Sequence, residues 1–387
     1  MMEVLLDAGH ELGECVLWCE RTGRLLWTDI PAATLWSHSP SSGRTVSWRM
    51  PERLCSFALT GSDDRLLLGL ASGLAFFTFS TGKVTRIVDV EADNPSTRLN
   101  DGRCDRQGRF VFGMFNQDEN PKRAVGGFYR LNLDLSLESL PLPKAAIANS
   151  ICFSPDGRRM YFADSQEKAI LYADYNPCSA EVGRVHTFVA ADAAPGEPDG
   201  STVDAEGYLW STRWGAGQVR RFAPSGKLDR VIPLAAPQPS CPAFGGPGLS
   251  TLFVTSAHVG MTARDRDAAP LSGAVFQLPL DVRGLPEARF LHRLSSIRGG
   301  RRRPHLLPIH ALIDTENGID VAKNVIGKLS GWSLPLLSSG DMGQARRLAR
   351  PRINRRFACP GKRKRRRCAR RRGSGRKTRT VSCTAAG

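Results

Sequence analysis

Two carboxylates and two carboxamides stand at matched distances ahead of a recurring turn. Glu14, Asn100, Asn149 and Asp199 each lie eight or nine residues before a turn containing Gly or Asp, and the same count lands on Ser56 and Cys241 in two further copies. Glu14, Asn149 and Asp199 together offer two carboxylates and one amide carbonyl. These are hard oxygen donors, suited to calcium, magnesium or manganese. Two carboxylates neutralise a dication, and three protein ligands leave positions open for water and substrate. No histidine falls in the set, so the His-rich zinc site of many hydrolases is missing, although zinc stays among the candidate ions. Such groups converging on one axis would be costly to desolvate without a partner. Any one of them alone reads as a turn residue capping a strand end; their recurrence at matched positions points to a site. There is no GxSxG elbow, so serine-hydrolase chemistry has no support.

The elements that must position these residues are repeats. A turn followed by alternating apolar residues, often ending in a small polar residue, recurs as ERTGRLLWTDI (20–30), GSDDRLLLGL (61–70), DRQGRFVFGMF (105–115), SPDGRRMYFADS (154–165), DAEGYLWSTRW (204–214) and GPGLSTLFVTS (246–256). The turn centres, near 23, 64, 108, 157, 207 and 249, are 41 to 50 residues apart, the spacing of a four-stranded propeller blade. Each unit is followed by a second hairpin-like stretch, the sixth being 273–290. The expectation is an all-β, six-bladed β-propeller over 1–290, with the strand before each turn lining the central channel and its leading end facing the ligand side. A β-sandwich would not repeat one turn six times.

The chain of 387 residues carries a formal net charge of +17, but the charge is not evenly spread. Residues 291–387 hold 25 lysines and arginines against 4 acidic residues, whereas 1–290 hold 29 against 33. The body is mildly acidic and the tail strongly basic. Reading the whole chain as a nucleic-acid binder would average two different polymers. The tail, with RGGRRRP (298–304) and GKRKRRRCARRRGSGRK (361–377), lacks interleaved aromatics and any sustained period. It is expected to be a low-order, non-functional extension resembling the product of a shifted reading frame, with at most non-specific attraction to nucleic acid. No apolar run is long enough to span a bilayer, and the start, MMEVLLDAGHELGE, is not a secretory leader; a cytoplasmic protein is expected. The seven body cysteines show no CxxC and read as buried thiols. Cys15 and Cys19, four apart, would suit zinc only on a helix, and this stretch reads as strand.

The segments LGECVLW (12–18), RLNDGRCD (98–105), ANSICFSPDG (148–157), PDGSTVDAEGYLW (198–210) and CPAFGG (241–246) resemble, in order and spacing, the gluconolactonase / senescence marker protein (regucalcin) family. The resemblance runs from about residue 3 to 290. It implies a six-bladed propeller that hydrolyses sugar lactones with one divalent metal ion: calcium, manganese, magnesium or zinc. It further implies Glu14, Asn149 and Asp199 as metal ligands, Arg98 and Asn100 as the substrate-binding pair, and Asp199 as general base. Two departures stand out: Cys15 follows the glutamate where glycine or serine is usual, and 97 residues follow the point where the family normally ends. The specificity loops are expected near 116–126 and 258–270. Two other readings remain open at this point: a metal-binding propeller without turnover, and a nucleic-acid binder driven by the tail.

Overall fold

The computed structural model describes residues 2–118 and 121–292. These form six four-stranded antiparallel sheets arranged as propeller blades. The innermost strands are Gly13–Cys19, Leu54–Leu59, Thr97–Cys104, Ala148–Phe153, Glu197–Val203 and Pro239–Gly245, each directly preceding one of the recurring turns. Burial falls outward through each blade, and the sequence follows it. LCSFAL (Leu54–Leu59) is buried throughout, while KVTRIVD (Lys83–Asp89), the outer strand of the same blade, has no buried residue. Inner strands are covered on both faces, and some, such as LCSFAL, read as apolar runs, whereas TRLNDGRC (Thr97–Cys104) and EPDGSTV (Glu197–Val203) carry buried polar groups; outer strands face water on one side.

The core lies between blades. Leu17, Leu26 and Leu35 of the first blade pack against Phe57, Leu68 and Phe77 of the second. Leu67 and Leu74 of the second meet Leu99, Phe110 and Phe112 of the third. Each fully buried side chain of this size contributes about 1.5–3 kcal/mol, so the ring is held by the same contact repeated around it. Six of the seven body cysteines are buried free thiols; Cys178 is exposed. Cys15 and Cys19 lie on the strand Gly13–Cys19, as the strand reading required.

The sixth blade departs from expectation. Its outer strand is not the second half of 273–290 but Glu3–Leu6 from the start of the chain, which pairs with Val275–Pro279. The ring is therefore closed by joining the two ends of the body. Residues 281–292 have no place at an edge already filled, and Pro286 could not donate to a ladder there. Instead they cross the face onto which the recurring turns open. Ala205 N donates to Arg283 O, Phe290 N to Leu59 O and Leu291 N to Gly108 O. Gly284 is required in this path, since a Cβ there would stand 2.1 Å from the Cβ of Phe244. Glu287 meets Arg103 at 2.8 Å on this side of the channel.

Contacts with the body continue past Phe290, through Leu291 N to Gly108 O and the His292 ring beside Phe76. The chain divides after Gly299 into two units, and the basic tail from 293 onward lies outside the described residues, as do the expectations placed on it. Among the described residues, no helix is long and apolar enough to cross a membrane.

Candidate active site

At the opposite face the leading ends of the inner strands surround a cavity of about 570 Å³. Glu14, Arg98, Asn100, Asn149 and Asp199 all line it. Local geometry explains why. Every inner strand carries a one-residue bulge near its leading end, shown by the register breaks Glu14/Leu17, Leu54/Ser56, Leu99/Gly102, Asn149/Cys152, Pro198/Ser201 and Pro239/Pro242. A bulge bends the strand and re-aims a side chain that regular pleating would point into a blade interface. In two blades it uses a left-handed residue, Cys15 at φ 49° and Ser150 at φ 59°.

The bulges correct the matched positions read from the sequence. Glu14 and Asn149 are the last paired residues before their bulges, whereas Asn100 and Asp199 are the next residues along. Ser56 pairs beyond its bulge with Gly69, and Cys241 packs in an apolar cluster with Val16 and Trp27; neither lines the cavity. Every blade has the bulge, but the stretch between bulge and turn differs in length from blade to blade, which a uniform count cannot follow.

Two of the carboxylates lack cationic partners. Glu14 accepts only from the adjacent Cys15 N, at 3.0 Å, and no ion pair reaches Glu14 or Asp199 among the described residues. Burial, reinforced by the nearby Asp101, pushes the Glu14 carboxyl up to about 8. Burial and then the facing Glu14 carry Asp199 well above the usual carboxylate range. Asp101, also raised by burial, accepts from Ile151 N at 2.7 Å. Two carboxylates that repel each other in a buried pocket, with the Asn149 amide lining the same cavity, are oxygen donors of the kind that would suit a hard divalent cation. The residues present therefore fit the ion expected from the sequence.

Arg98 is held rigidly. Its guanidinium lies 4.1 Å from the Phe115 ring centroid, and Nη1 donates to Leu99 O and to Asn100 Oδ1, both at 2.7 Å. Lys122 Nζ sits 4.8 Å from the same ring. The loops expected to shape the cavity do so in part: Gln117 and Lys122 come from the first and Val259 from the second. Glu11, Glu197, Trp214 and Ser165 were not anticipated as lining residues. Only Ser165 had a signal, as the small polar residue ending the repeat YFADS.

Comparison with known proteins agrees with this geometry. Residues 12–258 match the family described as SMP-30/Gluconolactonase/LRE-like region. The chain is 50% identical over 289 residues to L-arabinolactonase of Azospirillum brasilense, covering 74% of this chain and 94% of that protein. It is 30% identical to 6-deoxy-6-sulfogluconolactonase of Pseudomonas putida, over 72% of this chain and 94% of the other. Among solved structures, the calcium-binding protein regucalcin of Agrobacterium tumefaciens aligns with a TM-score of 0.72 at 30% identity, covering 76% of this chain and 98% of that one. With the propeller, the clustered donor set and the match over most of the body in agreement, the chain belongs to the SMP-30/gluconolactonase/LRE-like family.

Proposed function

We propose that this cavity hydrolyses a sugar lactone to the aldonic acid, with one divalent cation held by Glu14, Asn149 and Asp199. That the chain is a sugar lactonase rests on its kinship with lactonases across nearly their whole length. The half-identical arabinolactonase makes a five-carbon aldonolactone the first substrate to test, and calcium is the first ion to test because the regucalcin relative is described as calcium-binding. The observation that carries the mechanism is the meeting of two unpaired carboxylates, one amide and a buried arginine in one cavity.

Glu14, Asn149 and Asp199 would hold the divalent cation, whose chemistry there would be Lewis-acid polarisation of the lactone carbonyl and a lowered pKa for a neighbouring water. In its carboxylate form Asp199 is the group suited to accept the proton of the attacking water, and burial raises its affinity for that proton. Arg98 supplies positive charge beside the developing oxyanion and donors for sugar hydroxyls. Asn100 Oδ1 keeps one lone pair after accepting from Arg98, enough to receive a hydroxyl of the substrate. Both residues are locked before substrate arrives, which reduces the entropic cost of orienting the ring.

The test is to strip the full-length protein of metal with a chelator, assay a panel of pentono- and hexonolactones by acid release, and restore each cation in turn. Loss on stripping and recovery with one ion is expected. Hydrolysis that is unaffected by chelation would overturn the metal-assisted reading, and a protein that binds the ion but turns over no lactone would be a binding propeller.

A further inference from the structure

Four hydrogen bonds run in series through the site. Arg98 Nη1 donates to Asn100 Oδ1 at 2.7 Å. Asn100 Nδ2 donates to Asn149 Oδ1 at 3.0 Å, and also to Ala148 O at 3.0 Å. Asn149 Nδ2 donates to Ser165 Oγ at 2.9 Å, and Ser165 Oγ donates to Pro198 O at 2.6 Å. Arg98, Asn100, Asn149 and Ser165 are all buried.

The direction of this relay is dictated by its ends. A guanidinium can only donate and a backbone carbonyl can only accept. Arg98 therefore requires an oxygen from Asn100, and Ala148 O requires its NH₂; both demands orient the Asn100 amide the same way. At the other end Pro198 O takes the Ser165 hydroxyl proton. Ser165 can then offer Asn149 only a lone pair, which must meet NH₂ rather than C=O. The Asn149 carboxamide is consequently clamped from both sides, its oxygen held against Asn100 Nδ2 with one lone pair left over, in the cavity that Glu14 and Asp199 also line. A flipped amide would place NH₂ against the Asn100 NH₂ and its oxygen against a lone pair. It would also offer a cation no donor atom.

We infer that Ser165, with Asn100, is a positioning residue that fixes the Asn149 carboxamide in its metal-binding orientation. Ser165 does this from the 3₁₀ turn Ser165–Glu167, and its bond to Pro198 O ties the Asn149 strand to the one carrying Asp199. The inference rests on Asn149 being a ligand. Groups that orient metal ligands typically change affinity by about 10–100-fold when removed.

Calorimetric titration of the metal-free, full-length protein with Ca²⁺ and Mn²⁺ tests it. Asn149→Ala is the control for the underlying reading: unchanged affinity there means Asn149 is no ligand, and both readings fall. If Asn149→Ala weakens binding, Ser165→Ala should weaken it by ~10–100-fold, and Ser165→Ala added to Asn149→Ala should cost nothing further. Affinity within twofold of wild type in Ser165→Ala, or an equal additional loss in the double variant, would show that Ser165 acts only through general structure. Should Ser165→Ala fail to fold, Ser165→Cys replaces the hydroxyl by a weaker acceptor of similar shape and must show the same direction of effect; unchanged affinity there overturns the inference.

Discussion

Asp199 and Asp204 lie five residues apart on one inner strand or its end, and both are buried. Asp204, at the turn end, is fully answered by protein. It accepts from Arg221 Nη2 at 2.7 Å, Trp210 Nε1 at 2.9 Å and the backbone of Glu206 and Tyr208 at 3.0 and 2.9 Å. Asp105 repeats this at the turn end of the third blade, with Arg109 and the Tyr175 hydroxyl each at 2.8 Å. Asp199, at the leading end, faces another carboxylate instead of a cation. The same residue type in the same strand is thus a structural brace at one end and an unmet demand at the other. What separates them is whether the fold supplies the counter-charge. Buried carboxylates that it pairs hold turns together; those it leaves unpaired mark where a ligand must provide the charge.

This contrast can be broken most severely at the two aspartates. Asp199→Ala should lower lactone turnover by at least ~10²–10⁴-fold, the range of a lost proton acceptor, while thermal melting shows an intact fold. Asp204→Ala should do the reverse. Removing one partner of a buried pair costs about 3–5 kcal/mol, so its melting temperature should drop sharply while activity per folded molecule survives. Near-normal turnover in the first variant, or lost turnover in a folded second variant, would end the distinction.

A smaller effect sharpens it. Glu14→Gln keeps the shape but removes one of two charges, and divalent affinity should fall by ~10-fold or more, about 1.4 kcal/mol, as read by calorimetry. An unchanged isotherm would take Glu14 out of the ligand set. Arg98→Ala should separate substrate handling from metal binding: kcat/KM falls by the ~1.5–3 kcal/mol of a charged hydrogen bond, while cation affinity stays put, because Ala148 O still orients Asn100. Cation affinity lost together with kcat/KM would show that Arg98 serves the metal.

The smallest effect is expected from the tail. A chain ending at His292 keeps every blade, the crossing segment and the Glu287–Arg103 pair. It should match the full chain in melting temperature, cation affinity and turnover. An end at Phe290 would delete the Leu291 N to Gly108 O bond and the His292 ring beside Phe76, and should melt slightly lower. An inactive chain ending at His292 would make residues 293–387 part of the working enzyme.

Much of the architecture was legible along the chain because propeller blades are built from local pairings. In five of the six repeats both hairpins formed where the turns and alternation placed them. The sixth failed because, among the described residues, its closure is the one pairing of named strands that joins distant parts of the chain: nothing in 283–290 reveals that Glu3–Leu6 already occupies its edge. Glu14, Asn100, Asn149 and Asp199 were picked out by counting back from the turns and Arg98 by family resemblance, and the structure brings all five to one cavity. A common position along the strands was not found, since the stretch between bulge and turn differs from blade to blade.

The sequence by itself therefore determined the number of blades, the strands that line the channel and the oxygen donors gathered there, because turn chemistry and alternating burial act over a few residues. Only the tertiary structure decided which end of each strand is satisfied, how the ring closes and which way the Asn149 amide points. Those outcomes depend on partners drawn from different blades: Asn100 lies 49 residues from Asn149, and Pro198 lies 33 from Ser165. A hydrogen bond's direction is set by what stands at its far end, and that is known only once the blades have come together.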